Sequence, residues 1–359
     1  LYISVKSKIF QFFKGKFLLS IICITLSILI LLPIITILLE GLNAILRGYS
    51  SLGLDGLKQT KGTLILAFFT ALIGGSLGTI NGWILSNCRF KGRKVLRLAQ
   101  LLPLAIPAYL LSATLRDLGS IYGIYNIEGF SWGILIMSFT TYPYVFLLST
   151  ESFNKCGKTQ LEACRSLGIG PWESFIRIAL PMAAPAIGAG ITLMIMEVIN
   201  ELGAVKLLNI PSISYGIYEN WNQSGNPKGA AGLALIALTI VFILVLFEKK
   251  LRQKSRTWTE GAAGGQSPEW ELKGARALCS QLIALVPPLF TLGTPLLWTI
   301  VNLDQITQGL EGDLIAVTSR SILFGIVSAA LVIIISIFLA VSTRWRPNTL
   351  IKSLNFLAG

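Results

Sequence analysis

Two groupings of polar residues in this 359-residue chain have the types and spacing to do chemistry. The first is a pair of carboxylates, Glu197 and Glu201, in or near the end of an apolar run. Ionisable groups at membrane depth are expensive and tend to mark a pathway. On a continuous helix the i, i+4 spacing puts both on one face, where two carboxylates suit a hard, oxygen-seeking cation. The competing reading sets both at the outer interface, solvated or paired with Lys206. There, like charges one turn apart cost only about 0.2–0.5 kcal/mol. The second grouping is "LEACRSLGIGPWESFIRIALP", Leu161 to Pro181, with two arginines and two glutamates between stretches that are almost wholly apolar.

Other chemistries are excluded by composition. There is no histidine, so imidazole acid–base catalysis, His-ligated metals and Ser-His triads are all absent. No GxxxxGK[ST] loop occurs, so the chain carries no P-loop for a nucleotide. Cys23, Cys88, Cys156, Cys164 and Cys279 form no CxxC pair and no metal-ligand spacing. No cofactor bound by this chain is expected.

The elements that must position these residues follow from hydropathy. The chain is 53% hydrophobic and only 13% charged, with a mean hydropathy of +0.70, whereas a soluble domain is roughly a quarter charged. Its apolar residues gather into eight runs, near 17–39, 63–85, 98–115, 130–150, 182–200, 230–247, 277–301 and 321–341. Each is about the 20 residues a helix needs to cross hydrocarbon. The expected fold class is all-α, a polytopic transmembrane helical bundle. The first run has no small-residue cleavage site and reads as a retained span.

The net charge of +13 does not call for nucleic acid, because the loops before span one and after spans two, four, six and eight hold 23 of the 30 Lys and Arg. The positive-inside rule then puts the N-terminus and the 158–180 loop in the cytoplasm. Within that loop Thr159 and Glu162 fit a capping box. Leu161, Cys164 and Leu167 share a helical face, and Gly168-Ile-Gly170 ends the helix. Pro171 opens a second helix through Trp172, Phe175, Ile176 and Ile178, and Pro181 opens the next span. Such a hairpin either lies on lipid head groups or docks a cytosolic partner. Elsewhere, Gly74, Gly78 and Gly82 invite close helix packing, and Pro103 and Pro107 should kink span three.

A duplication is visible in outline. "TLILAFFTALI" (63–73) resembles "SILFGIVSAAL" (321–331), each ahead of a basic loop, and the copies lie six spans apart. Parallel six-span repeats are one of the transporter layouts. The expected domains are a six-span unit over 1–247 with its loop at 158–180, a flexible Gly/Ser/charge-rich linker over 248–276, and over 277–359 the first two spans of a second copy, cut short by the chain's end.

The residues Glu162-Ala163-Cys164, then Gly168, then Ile178-Ala-Leu180-Pro181 resemble the EAA loop of ABC importer permeases, with Cys164 in place of the second alanine. The resemblance implies that Glu162, Ala163, Gly168, Ile178, Leu180 and Pro181 belong to coupling helices seated in a groove of a cytoplasmic ATP-binding subunit, present in two copies. "LMIMEVINELGAVKLLNI" (193–210) and "GIYENW…AAGLALIAL" (216–238) are similar to fused two-half ferric-iron permeases, in which Glu201-Leu202-Gly203 commonly reads Asp-Phe-Gly. That resemblance implies an extracytoplasmic iron-binding protein as donor, a bacterial inner-membrane location, and Glu197 and Glu201 as candidate pathway residues. Thiamine permeases share the layout. An ion-coupled secondary transporter would want more buried ionisable groups than Glu197 offers, and a membrane-embedded enzyme finds no catalytic constellation.

Overall fold

The computed structural model describes residues 24–26, 28–48, 55–155, 158–255, 270–304 and 314–345. Expectations about Cys23, Cys156, the N-terminal lysines and the residues beyond Trp345 lie outside them. Within them the chain is an all-α polytopic bundle, with seven helices long and apolar enough to cross a membrane and one bent pair that makes an eighth. In hydrocarbon every backbone N–H and C=O must find a partner within the segment, which leaves the helix as the form available to such runs. Many of their hydroxyls turn back on the helix: Thr79 donates to the Gly75 carbonyl at 2.7 Å, and Ser112 to that of Ala108 at 2.8 Å.

The larger compact unit is Asn43–Asn302. Its centre is the pair α2 (Gly56–Asn87) and α5 (Gly129–Lys155), onto which α8 (Leu180–Asn200) packs. The glycine face of α2 makes this approach possible. A Cβ on Gly78 would stand 2.7 Å from the Tyr142 carbonyl oxygen and 2.8 Å from Val145 Cβ, and one on Gly74 would meet Ser138. Gly190 of α8 has the same relation to the Val145 backbone, 2.7 Å away. Span three is broken outright. After α3 (Arg93–Ala99) and a 3-10 turn at Leu102–Ala105, the chain bends by 89° into α4 (Ala108–Ile121). The expected proline kink is therefore nearly a right angle, with extended Ile106 ahead of Pro107.

Beyond α8 lie α9 (Gly203–Leu207), α10 (Ile213–Asn222) and α11 (Pro227–Ser255). The supposedly flexible stretch 248–276 differs from expectation at both described ends. α11 continues to Ser255, and Trp270–Glu271 forms a strand, β2, in parallel register with β1 (Cys88–Arg89). The Leu272 N–H extends this pairing to the Arg89 carbonyl at 3.0 Å. The helix that follows, α12 (Ala275–Val301), packs on α3, α4 and α5. It is pinned at three levels. Gln281 donates to the Lys91 carbonyl at 2.9 Å, and Trp298 to Asp117 at 2.6 Å. Between these, the buried Gln100 amide donates to the Ala284 carbonyl at 2.6 Å while its oxygen accepts from Asn81 at 2.9 Å.

The other unit groups the chain up to Leu42 with the chain from Leu303. Its described helices, α1 (Ile24–Leu46, whose last turn belongs to the larger unit) and α13 (Leu314–Trp345), expose most of their large apolar side chains. Such surface is stable against lipid.

Candidate functional site: the 158–180 elbow

The elbow is built from a helix, a left-handed turn and a second helix. α6 spans Lys158–Ser166, so it begins one residue before Thr159, whose side chain lies outside the described residues. Its end is closed by paired bonds from the Gly168 N–H to the Arg165 carbonyl, 3.0 Å, and from the Ile169 N–H to that of Cys164, 2.9 Å. The six-residue loop from Ile169 back to Cys164 is the Schellman pattern, with glycine at its left-handed position. Gly168 has φ +74° and nothing within 4 Å of where a Cβ would sit. Its requirement is therefore backbone conformation, not space.

The second half was expected to be a separate helix ending before Pro181. Instead α7 (Pro171–Ser174), a π-turn over Phe175–Ala179 and α8 run on as one 30-residue helix, Pro171–Asn200. The π-turn carries an i→i−5 bond from the Leu180 N–H to the Phe175 carbonyl. Pro181 has no N–H to donate, and a wider turn just before it accommodates the interrupted ladder. The elbow is thereby joined without a break to a membrane-spanning helix.

One face of the elbow is anchored. Leu161 is fully buried and Cys164 nearly so, and Leu161, Phe175 and Ala179 join Trp83, Phe153, Ala183 and Ile187 in one apolar cluster. Trp83 is its hub, with ring centroids 5.5 Å from Phe153, 5.4 Å from Phe175 and 5.6 Å from Trp270. Ile178 and Leu180 pack partly against this cluster. The other face is open. Glu162, Ala163, Gly168 and Pro181 are exposed. So are Leu167, which leaves the face it was expected to share with Leu161, and Trp172 and Ile176. The Glu173–Arg177 ion pair, 2.9 Å, is solvent-facing and contributes little. An anchored elbow showing apolar side chains beside a free carboxylate is a surface shaped to meet a protein.

Glu197 and Glu201 are not brought together as their spacing implied. α8 stops at Asn200, and Glu201 is extended, with φ −71° and ψ 115°. Its carboxylate accepts the Ala204 N–H at 2.9 Å, capping α9, while its carbonyl accepts from Ser214 at 2.7 Å. Glu197 stays on α8 and is exposed. Lys206 does not serve as their partner: it reaches the Tyr218 hydroxyl at 3.3 Å and lies 4.4 Å from that ring's centroid. Among the described residues no three of His, Cys, Asp and Glu gather as metal ligands would.

The sequence matches the family described as "Binding-protein-dependent transport system inner membrane component" over residues 10–249. The chain belongs to this family. As such it is an ABC importer permease, a multi-pass inner-membrane component. An Fe(3+)-transport system permease protein of Haemophilus influenzae is 27% identical to this permease over 251 residues, 69% of this chain and 48% of the relative. The sulfate transport system permease protein of Escherichia coli is 34% identical over 155 residues, 40% of this chain and 56% of the relative. The permease thus spans about half the length of these two proteins. A bacterial alginate ABC transporter, solved in complex with an alginate pentasaccharide-bound periplasmic protein, contains a chain similar at a TM-score of 0.51. With 17% identity over 70% of this chain and 99% of that one, the likeness is one of fold.

Sequence reasoning located the elbow but missed its aromatic hub and the linker strand. Trp83, Phe153, Phe175 and Trp270 are scattered through the sequence, and the available signal was a large aromatic, Trp270, in a polar stretch that also holds Trp258.

Proposed function

We propose that this permease carries ferric iron across the membrane, from an extracytoplasmic binding protein to the cytoplasm, driven by a separate ATP-binding subunit that docks on the 158–180 elbow. The observation that carries the mechanism is the continuity of the elbow with α8. Force applied at Glu162, Ala163 and Gly168 crosses the capped turn at Gly168–Gly170 into the helix that carries Ile178, Leu180 and Pro181, which enters the membrane with no further loop. The buried side chains of Leu161 and Phe175 hold the elbow's inner face against α2 and α5 at Trp83 and Phe153, so the three elements move together. The spans from 277 on are taken as the start of a parallel second copy, which would give the transporter two elbows, two ATP-binding subunits and rocking halves. The N-terminus lies in the cytoplasm on the distribution of Lys and Arg.

Iron is favoured by the resemblance of residues 193–210 and 216–238 to ferric-iron permeases, alongside the 27% identity to the Fe(3+)-transport permease over 69% of this chain. Sulfate is the second reading, favoured by the higher identity over a shorter stretch. Glu197, exposed at the end of α8, is the remaining candidate for the pathway. The test is uptake by the complete transporter in proteoliposomes, with radiolabelled ferric iron and sulfate in parallel and each binding protein supplied in turn. ATP-dependent accumulation of iron alone is expected. Accumulation of sulfate alone replaces the substrate assignment, and uptake undiminished after the ATP-binding subunit is withdrawn ends the mechanism.

A further inference from the structure

Where α2 ends, the chain forms a basic cavity that neither the elbow nor the family assignment uses. It has a volume of about 540 Å³ and is lined by Arg89, Phe90, Arg93, Lys94, Val95 and Arg97 along with Gly92. Four of these side chains are cationic and none is acidic. Arg93 forms the fixed floor: its guanidinium donates to the carbonyls of Leu85 at 2.8 Å and Ser86 at 2.7 Å, closing the end of α2. Arg89, Lys94 and Arg97 are exposed and have no carboxylate partner among the described residues. Gly92, at φ +85°, turns the chain and leaves open space beside it.

The same short segment is apolar on its flank. Val95 is 72% and Leu98 70% exposed, and α3 buries none of its residues. Val95 and Leu98 stand at i, i+3 on α3, and Leu102, 42% exposed, follows in the 3-10 turn. Unpaired cations clustered beside an uncovered apolar stripe match an amphiphile with an anionic head and hydrocarbon tails. Guanidinium groups suit phosphate oxygens by geometry as well as charge. Basic loops of this kind face the cytoplasmic leaflet, where anionic lipid collects.

We propose that the cavity at Arg89, Lys94 and Arg97 binds the phosphodiester head group of an anionic phospholipid, whose chains lie along Val95 and Leu98. The site fixes lipid at the joint between α2 and the broken third span.

The test is native mass spectrometry of the full chain, extracted from bilayers of phosphatidylglycerol and phosphatidylcholine mixed equally. Wild-type protein should retain phosphatidylglycerol in preference. The triple variant Arg89→Gln, Lys94→Gln, Arg97→Gln should lose that preference by about a hundredfold, the scale set by removing three near-surface charges. Neutralising Lys58 and Lys61 instead should leave it intact, and circular dichroism should show both variants folded. Val95→Ser with Leu98→Ser should weaken retention of phosphatidylglycerol, and unchanged retention overturns the placement of the chains. Equal retention by wild type and the triple variant, or equal loss in the Lys58/Lys61 control, overturns the proposal. Displacement of the lipid by millimolar inorganic phosphate also overturns it, since the ligand would then be a free anion.

Discussion

The ring of Trp270 stands 5.6 Å from that of Trp83, tilted by 45°. One residue closes the polar stretch between α11 and α12; the other is wholly buried near the end of α2. The contact ties the connecting segment to the hub that holds the elbow, so movement of the elbow is felt by the segment leading into α12.

Trp270→Ala removes a partly buried indole and its aromatic contact. We expect a loss of about 2 kcal/mol, below the range for a fully buried Trp. In detergent that is a fall of about 5 °C in the melting temperature, with Trp270→Phe recovering roughly half. A change within 1 °C would show that the segment is not docked.

Gly168 and Gly170 make a matched pair. Gly168 has a left-handed φ of +74°, whereas Gly170 has φ −71°, and neither has an atom within 4 Å of its missing Cβ. Gly168→Ala should therefore destabilise the elbow by about 1–2 kcal/mol and reduce ATP-driven uptake, while Gly170→Ala should leave uptake unchanged. Equal effects of the two, measured as initial rates in proteoliposomes, would rule out backbone conformation as the reason for glycine at 168.

Gly78 touches the backbone of α5, and Gly325 on α13 meets nothing within 4 Å. Gly78→Ala should overpack the α2–α5 contact by about 1–3 kcal/mol and reduce the yield of folded protein. Gly325→Ala should be neutral or slightly stabilising, as Ala is the better helix former. Size-exclusion profiles after heating would report both.

Glu201 acts through a cap and Glu197 through nothing but its charge. Glu201→Ala should cost about 1 kcal/mol by leaving the Ala204 N–H without its side-chain acceptor, and Glu201→Gln should restore most of that. Glu197→Gln should leave stability unchanged and lower uptake if the pathway passes that carboxylate. Undiminished uptake removes Glu197 from the pathway.

The spans were legible because lipid imposes one rule on every residue in them, and the break near Pro107 because proline acts locally. The left-handed turn at Gly168 was legible for the same reason. What failed depended on continuity or on distant partners. The i, i+4 spacing of Glu197 and Glu201 implies a common face only while the helix persists, and it stops at Asn200, where Gly203 lies against Tyr109. Leu167 fitted the buried stripe by period but follows the last helical residue, Ser166. Trp270 could not be placed from its polar surroundings, because its site is made by residues 83, 153 and 175.

The bond from Gln100 to the Ala284 carbonyl sets an order on the birth of this protein. The two partners are 184 residues apart, so at ribosomal speeds of about 5–20 residues per second the earlier one emerges roughly 10–40 s before the later. Through that interval the amide of Gln100 is in the bilayer without its final acceptor, and the early spans stand as an unfinished bundle. Maturation of the first helices must therefore wait on a helix encoded far downstream, and a ribosome stalled between α11 and α12 would leave a product for membrane quality control to find.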